Sequence, residues 1–456
     1  MTEEIREKGS SGNGLRPVLP GDPSYIIRKL EESGYEAYAV GGCVRDLMLG
    51  REPKDFDITT SALPQEVKKV FRNTVDTGIK HGTVTVVLKG GAYEVTTYRV
   101  DGAYEDGRHP KEVTFSRSLK EDLARRDFTI NAMAWHPDRG IVDIFGGQKD
   151  LRAGIIRCVG EPSERFSEDA LRVMRAVRFA AQLGFSLEEK TWEAVREHAA
   201  DLKKISAERV RDEMMKTISS PHPEMWRKAY EAGITAVILP EFDVCMRTEQ
   251  NTPFHIYSVG EHIIRSMQAI EPDPVLRLTM LLHDIAKPMV HFRDSSGRDH
   301  FKGHASYGGE VAEEILRRLK FDNDTIRRAG KLIRYHDLRP KATDAAVRRA
   351  AAQIGPELFE DFIKIQTADA MAKNPEHNAA NLARIETMEK IYRRIIARGD
   401  CLSLAGLAIS GQDLLDAGMK PGKKIGYILE SALMAVLEEP TLNDHDLLLM
   451  YALQMM

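Results

Sequence analysis

From about Glu161 to the carboxyl terminus the chain is written in helical periodicity, and this change of texture constrains the fold more than any single motif. Segments such as SEDALRVMRAVRFAAQLG (167–184), SAERVRDEMMKTI (206–218), VLRLTMLLHDIAK (275–287) and YGGEVAEEILRRLK (307–320) space their apolar residues by three and four. That spacing gathers them on one face of a helix. Ahead of Glu161 the signals alternate. PSYIIRKLEESG (23–34) reads as an amphipathic helix closed by Gly34. TVTVVLKG (83–90) and AYEVTTYRV (92–100) are rich in β-branched and aromatic residues and meet at Gly90-Gly91, a hairpin signal. DGAYEDGRHPKEV (101–113) reads as a loop. The expected class is therefore α+β, a small α/β head followed by an all-α remainder. A chain of 456 residues exceeds one ordinary core. We divide it into a flexible leader (1–20), a head (21–152), a helical neck (153–220), a helical body (221–375) and a helical tail (376–456).

Composition narrows the class. Apolar residues make up 42% and charged residues 29% of the chain, as in soluble globular proteins. No apolar run is long enough to cross a bilayer, and MTEEIREKGSSGNGLRP lacks the apolar core of a signal peptide. Cys43, Cys158, Cys245 and Cys401 stand far apart without CxxC spacing, which fits neither a zinc knuckle nor a disulfide framework and agrees with a reducing cytoplasm. A net charge of −4 offers no overall attraction for nucleic acid, so any phosphate contacts must come from local basic stretches such as 165–185 and 313–336.

Three motifs carry chemistry. In AVGGCVRDLMLGREPKDFDITT (39–60), Gly41 and Gly42 follow an apolar strand and precede a helix, where backbone amides can approach a triphosphate; Arg45 follows closely. Asp55 and Asp57 flank Phe56, so on a strand both carboxylates share one face. Such a pair repels unless a hard cation such as Mg²⁺ joins it. In EDLARRDFTINAMAW (121–135), Arg126 is the candidate triphosphate ligand. In SEDALRVMRAVRF (167–179), Glu168 and Asp169 are expected to open a helix at its positive end, and Arg172, Arg175 and Arg178 recur every third residue beside an apolar stripe.

These segments, with GIKHGTVT (78–85) and GIVDIFGGQKDL (140–151), resemble in order the motifs of the class II tRNA nucleotidyltransferases, the CCA-adding enzymes. The resemblance implies a polymerase-β-like head that adds C, C and A to the 3′ end of tRNA from CTP and ATP. It carries Mg²⁺ binding and catalysis onto Asp55 and Asp57, and nucleotide binding onto Gly42, Arg45, Arg126, Asp169, Arg172, Arg175 and Arg178. Cytosine and adenine both show an amino donor beside a ring-nitrogen acceptor, while uracil and guanine reverse the pattern. One acceptor (Asp169) and one donor (Arg172) can thus match two bases and leave the others unpaired. Poly(A) polymerases share the D-x-D and RRDFT motifs and are the nearest alternative; GIKHGTVTV (78–86) favours CCA addition. Enzymes adding only CC or only A are a second alternative, and the 101–113 loop favours complete addition.

A second set lies downstream. His283-Asp284 sits on an apolar helix, with His262, His304, His336 and Asp369 around it in sequence, and together they resemble the H…HD…H…H…D ligands of HD-superfamily phosphohydrolases. The resemblance implies a second divalent metal in the body, and phosphomonoesterase or 2′,3′-cyclic phosphodiesterase activity there. His255 competes with His262 for the first position; His81, His109 and His136 read as ordinary histidines. In the tail, KPGKKIG (420–426) before a helix is a candidate tRNA phosphate contact. No membrane or obligate protein partner is expected.

Overall fold

The computed structural model describes residues 20–101 and 113–455. The leader up to residue 19 and nearly all of the 101–113 loop, including His109, lie outside these residues. The chain divides into two compact units, Met1–Ile205 and Ser206–Met456, and the division falls within the stretch expected as neck.

The first unit is built on strands β1 (Ala37–Val40), β2 (Asp57–Thr60), β3 (Thr74–Gly78), β4 (Thr83–Leu88), β5 (Gly91–Thr97), β6 (Arg99–Asp101), β7 (Val113–Phe115), β8 (Met133–His136) and β9 (Gly140–Asp143). Seven of them form one sheet in the order β3-β4-β5-β2-β1-β8-β9, and β6 pairs separately with β7. β4 and β5 form the expected hairpin, with Leu88 opposite Gly91. The β2–β5 pair is parallel, while β1 runs antiparallel to both β2 and β8. All four residues of β1 and of β8 are buried. The helix Gly21–Glu32 covers the sheet with Ile26, Ile27 and Leu30, each fully buried and each stabilising by about 1.5–3 kcal/mol. Register fixes the working end. Val40, the last residue of β1, lies opposite Asp57, and the next residue, Gly41, donates its N–H to Met133 O at 3.3 Å.

Helices Pro162–Glu168, Leu171–Leu183 and Glu189–His198 complete this unit. Their boundary corrects one expectation. Glu168 closes the first of these helices and Asp169 stands between the first two, so neither opens a helix at Ser167. Arg165 pairs with Glu168 at 3.0 Å, and the Asp169 carboxylate accepts from Leu171 N at 3.1 Å. Local side-chain bonding therefore breaks a helical pattern that is continuous in the sequence.

The second unit is helical apart from one short hairpin, Phe292–Arg293 with Asp299–His300, among its described residues. Helices His304–Arg318 and Asn323–Tyr335 pack closely through two glycines. A Cβ on Gly309 would meet Gly330 O at 3.1 Å, and one on Gly330 would meet Glu313 Cγ at 3.1 Å. The carboxyl-terminal helices Gly411–Asp416, Lys423–Glu438 and His445–Leu453 enclose a core of their own around Leu414, Ile428, Ala432 and Val436. Among the described residues no helix is long and apolar enough to cross a membrane.

Candidate functional site

The end of the head sheet collects the acids and arginines singled out above. β2 begins at Asp57, so Asp55 and Phe56 precede the strand and only Asp57 is held by its ladder. The charges are close all the same. The Asp57 carboxyl, although open to solvent, is raised by desolvation; the Arg126 guanidinium opposes this, and Asp55 and Glu94 add to it. Three negative groups crowding one spot is the donor chemistry of a divalent-cation site. Glu94 was not among the sequence candidates. It stands on β5, one residue before Val95, the partner of Ile58, and is thus level with Asp57 on the neighbouring strand. Its only signal in the sequence is an acid within an otherwise apolar and β-branched strand.

Arg126 faces the same spot. Its Nε is buried without a hydrogen-bond partner, and its Nη1 would lie 2.8 Å from a Cβ on Gly41. Gly41 has φ 80° and ψ −132° and is the glycine this approach requires. Gly42 begins the helix Gly42–Met48, and a Cβ there would make only an ordinary 3.6 Å contact with Arg45 Nη2. Behind the arginines stands Asp122, fully buried. It lies 2.9 Å from Arg125 and 3.6 Å from Arg126 and accepts from Thr59 Oγ1 at 3.0 Å. Burial alone would raise its carboxyl; Arg125 and Arg126 hold it below the ordinary range.

The arginine row faces inward. Arg172 and Arg178 are each only 8% exposed, which rules out a solvated cationic stripe. Arg172 donates to Glu168 Oε2 at 2.7 Å, to Arg165 O at 2.8 Å and to Arg125 O at 3.0 Å, so the helix Leu171–Leu183 is tied to the RRD segment. Arg175 donates from Nε to Asp127 Oδ2 at 2.7 Å. Arg178 lies over the Phe179 ring, 4.0 Å from its centroid, and Arg45 and Arg175 approach the same ring at 5.3 and 5.4 Å. Arg45 also donates to Asn131 Oδ1 at 2.7 Å. His136 is buried and pairs with Glu31 at 2.8 Å, a structural role.

In the second unit the six downstream candidates converge. His262, on helix Val259–Gln268, accepts or donates at 3.0 Å with Asp369 on helix Phe359–Met371. His262 and His283 lie 3.5 and 3.3 Å from one oxygen of Asp284, while His304 and His336 lie 3.4 and 3.5 Å from the other. Asp284 thus belongs to two triads, His262/His283/Asp284 and Asp284/His304/His336, each compact enough for one ion. Both Asp284 oxygens are buried, and neither makes a well-formed hydrogen bond although Lys287 Nζ stands 2.7 Å away. A buried carboxylate with lone pairs to spare among four imidazoles fits a bridging metal ligand. Burial pushes His262 down; at His283 the carboxylates of Asp284 and Asp369 overcome burial and raise it to about 9. His255 packs edge-on to His262 with ring centroids 5.4 Å apart and bonds Thr252 at 2.9 Å, outside both triads. A cavity of about 440 Å³ opens onto this cluster, and Lys287, Arg298, Lys302, Arg339 and Lys373 line it. These cations escaped the sequence reading because they come from separate segments.

Comparison with known proteins agrees with this geometry. The Poly A polymerase head domain model matches residues 37–157, the model of an RNA- and SrmB-binding site of polymerase A matches 184–246, and tRNA nucleotidyltransferase domain 2 matches 302–452. The CCA-adding enzyme of Lactobacillus helveticus is 35% identical, with 92% of this chain and 94% of that protein aligned. That of Lactiplantibacillus plantarum is 37% identical, with 94% of each chain covered. The chain belongs to the CCA-adding enzyme family. The family consists of divalent-metal-dependent tRNA nucleotidyltransferases, and the polymerase-β-like head with a predominantly helical remainder is its architecture. The Bacillus stearothermophilus CCA-adding enzyme, solved in complex with CTP, superimposes with a TM-score of 0.68 at 30% identity, covering 94% of this chain and 95% of its own. The Thermotoga maritima CCA-adding enzyme, solved with tRNA, shares the fold at a TM-score of 0.59 and 22% identity, over 95% of this chain and 94% of its own.

Proposed function

We propose that this family member completes the 3′ end of tRNA with C, C and A from CTP and ATP, and that Asp55 and Asp57 hold the Mg²⁺ that makes transfer possible. The single observation that carries the reading is the crowding of Asp55, Asp57 and Glu94 beside Arg126 at the end of β2. Bound there, magnesium would supply charge neutralisation at the reacting phosphate and lower the pKa of the attacking hydroxyl. Asp55 and Asp57 place the ion; Arg126 and Arg45 take the charge of the leaving pyrophosphate; Asp169 and Arg172 present the acceptor and donor that select C and A. Gly42 supplies a backbone amide at a helix start, and Arg175 and Arg178 flank the nucleotide. The functional segments are the head (21–152), the neck carrying the selector helix (153–220), the HD body (221–375) and a tail (376–456) that meets tRNA phosphates through Lys420, Lys423 and Lys424, in a cytoplasmic protein.

The same reading gives the second unit its own divalent metal, held by His262, His283, Asp284, His304, His336 and Asp369, with phosphate-ester hydrolysis as its chemistry. The cations around the cavity support an anionic substrate.

The test is direct. The protein is incubated with tRNA truncated at its 3′ end and labelled CTP, ATP or both, and product lengths are read. Stepwise C, C, A is expected. A long A tail would replace this reading by polyadenylation, and CC-only or A-only products by partial addition. Asp55→Ala and Asp57→Ala should each abolish transfer with the fold intact; full activity in either rejects the metal assignment.

A further inference from the structure

The structure assigns to Asn131 the task of coupling the phosphate-side arginine to the selector helix. Asn131 is 6% exposed and lies in the single turn Thr129–Asn131. Arg45 Nη1 donates to its Oδ1 at 2.7 Å, and its Nδ2 donates to Asp127 Oδ1 at 3.2 Å. The other oxygen of Asp127 accepts from Arg175 Nε at 2.7 Å. One unbroken chain, Arg45–Asn131–Asp127–Arg175, therefore runs from helix Gly42–Met48 to helix Leu171–Leu183, wholly within the first unit.

The chemistry of the link leaves little choice of residue. A guanidinium can only donate and an ionised carboxylate can only accept, so the side chain between them must offer one acceptor and one donor at once. A primary amide does this. Asp127 is securely ionised: burial would raise its carboxyl, but Arg175 and Asn131 bring it to about 2. The charged groups facing the link are Arg45 and Asp46 on one helix, Asp127 itself, and Arg172 and Arg175 on the other. Both ends of the chain also converge on the Phe179 ring, with Arg45 at 5.3 Å and Arg175 at 5.4 Å from its centroid. With Arg178 4.0 Å from the same centroid, three cations share this ring and repel unless anchored, and Asn131 with Asp127 anchors two of them. Asn131 is thus a positioning residue: it orients Arg45 and Arg175 without itself meeting substrate. This inference rests on the reading above that Arg45 meets the nucleotide.

The test uses the full-length protein with tRNA lacking its terminal nucleotides, and initial rates against CTP, ATP and the wrong nucleotide UTP. Asn131→Ala should raise KM for CTP and ATP about tenfold, more than it lowers kcat, and should erode the preference for CTP over UTP by about the same factor. Asn131→Asp keeps the acceptor for Arg45 but sets a carboxylate against Asp127, and should be at least as impaired. Wild-type behaviour of Asn131→Asp would overturn the coupling. In an Arg45→Ala background, Asn131→Ala should cost clearly less than it does alone, the remainder being the path through Asp127 to Arg175; fully additive effects would overturn the link to Arg45. If Arg45→Ala alone leaves KM unchanged, the nucleotide role of Arg45 falls, and the inference with it. Should Asn131→Ala fold poorly by thermal melting, the Asn131→Asp comparison, read at matched folded fraction, decides the matter.

Discussion

Replacing Gly41 with alanine is the most searching test of the head. The residue sits at φ 80° and ψ −132°, a conformation that side-chain-bearing residues rarely adopt, and holding alanine there costs about 1–3 kcal/mol. The new Cβ would lie 2.8 Å from Arg126 Nη1 and 3.9 Å from Asp57 Oδ2. Non-bonded heavy atoms settle at about 3.5–4 Å, so the guanidinium must retreat by roughly 0.7 Å or more. It cannot do so freely, because Asp122 holds it at 3.6 Å and is itself tied to Thr59 on β2. A displacement of about 1 Å in a positioning group can cost about 100-fold in rate. We therefore expect kcat/KM for CMP addition to truncated tRNA to fall about 100-fold, with a smaller loss of thermal stability. Gly42→Ala is the control. A Cβ there makes only a 3.6 Å contact with Arg45 at the start of a helix, and alanine keeps the backbone amide assigned to the nucleotide, so the loss should be well below that of Gly41→Ala. Unimpaired Gly41→Ala would refute the argument that Arg126 is pressed against this glycine.

Other consequences follow from the same structure. Because the Asp57 carboxyl lies above its ordinary range, partly through Glu94, protons should compete with the metal at higher pH than for an ordinary aspartate. Glu94→Gln should then shift the acid limb of the kcat/KM–pH profile to lower pH; an unmoved limb would remove Glu94 from the cluster. Asp284→Ala takes away the carboxylate that both histidine triads share among the described residues, so on the proposed second metal site, metal analysis of the purified protein should show less divalent metal bound than in the parent while CMP addition persists; equal metal content would reject that site. Arg348 is 4% exposed, pairs with Asp400 at 3.0 Å and donates to Leu437 O at 2.7 Å. Arg348→Ala leaves Asp400 to Arg398 alone, 2.9 Å away, and removes the donor to the Leu437 and Glu438 carbonyls; it should destabilise the second unit by about 1–3 kcal/mol in denaturant unfolding, and an unchanged midpoint would show that these bonds are dispensable.

Much of this molecule was legible before any coordinates. Periods of two and of 3.6 reflect which face of an element is buried, so the β4–β5 hairpin and the helical remainder could be read from local pattern. Residue chemistry nominated Asp55, Asp57, Arg126 and the downstream histidines and aspartates, because those side chains bring unusual charge or ligand capacity wherever they sit. Local pattern failed where side-chain bonding overrode it. Asp169 interrupts a helix that periodicity runs through, and there its carboxylate accepts from Leu171 N. Proximity across the sheet and between helices was decided only by tertiary structure. Strand order set Glu94 level with Asp57; the backbone turn made Gly41 rather than Gly42 the demanding glycine; and packing brought Asn131 between Arg45 and Asp127. A sequence specifies what each side chain can donate, accept or bury, but distance between residues far apart in the chain exists only once the fold has closed.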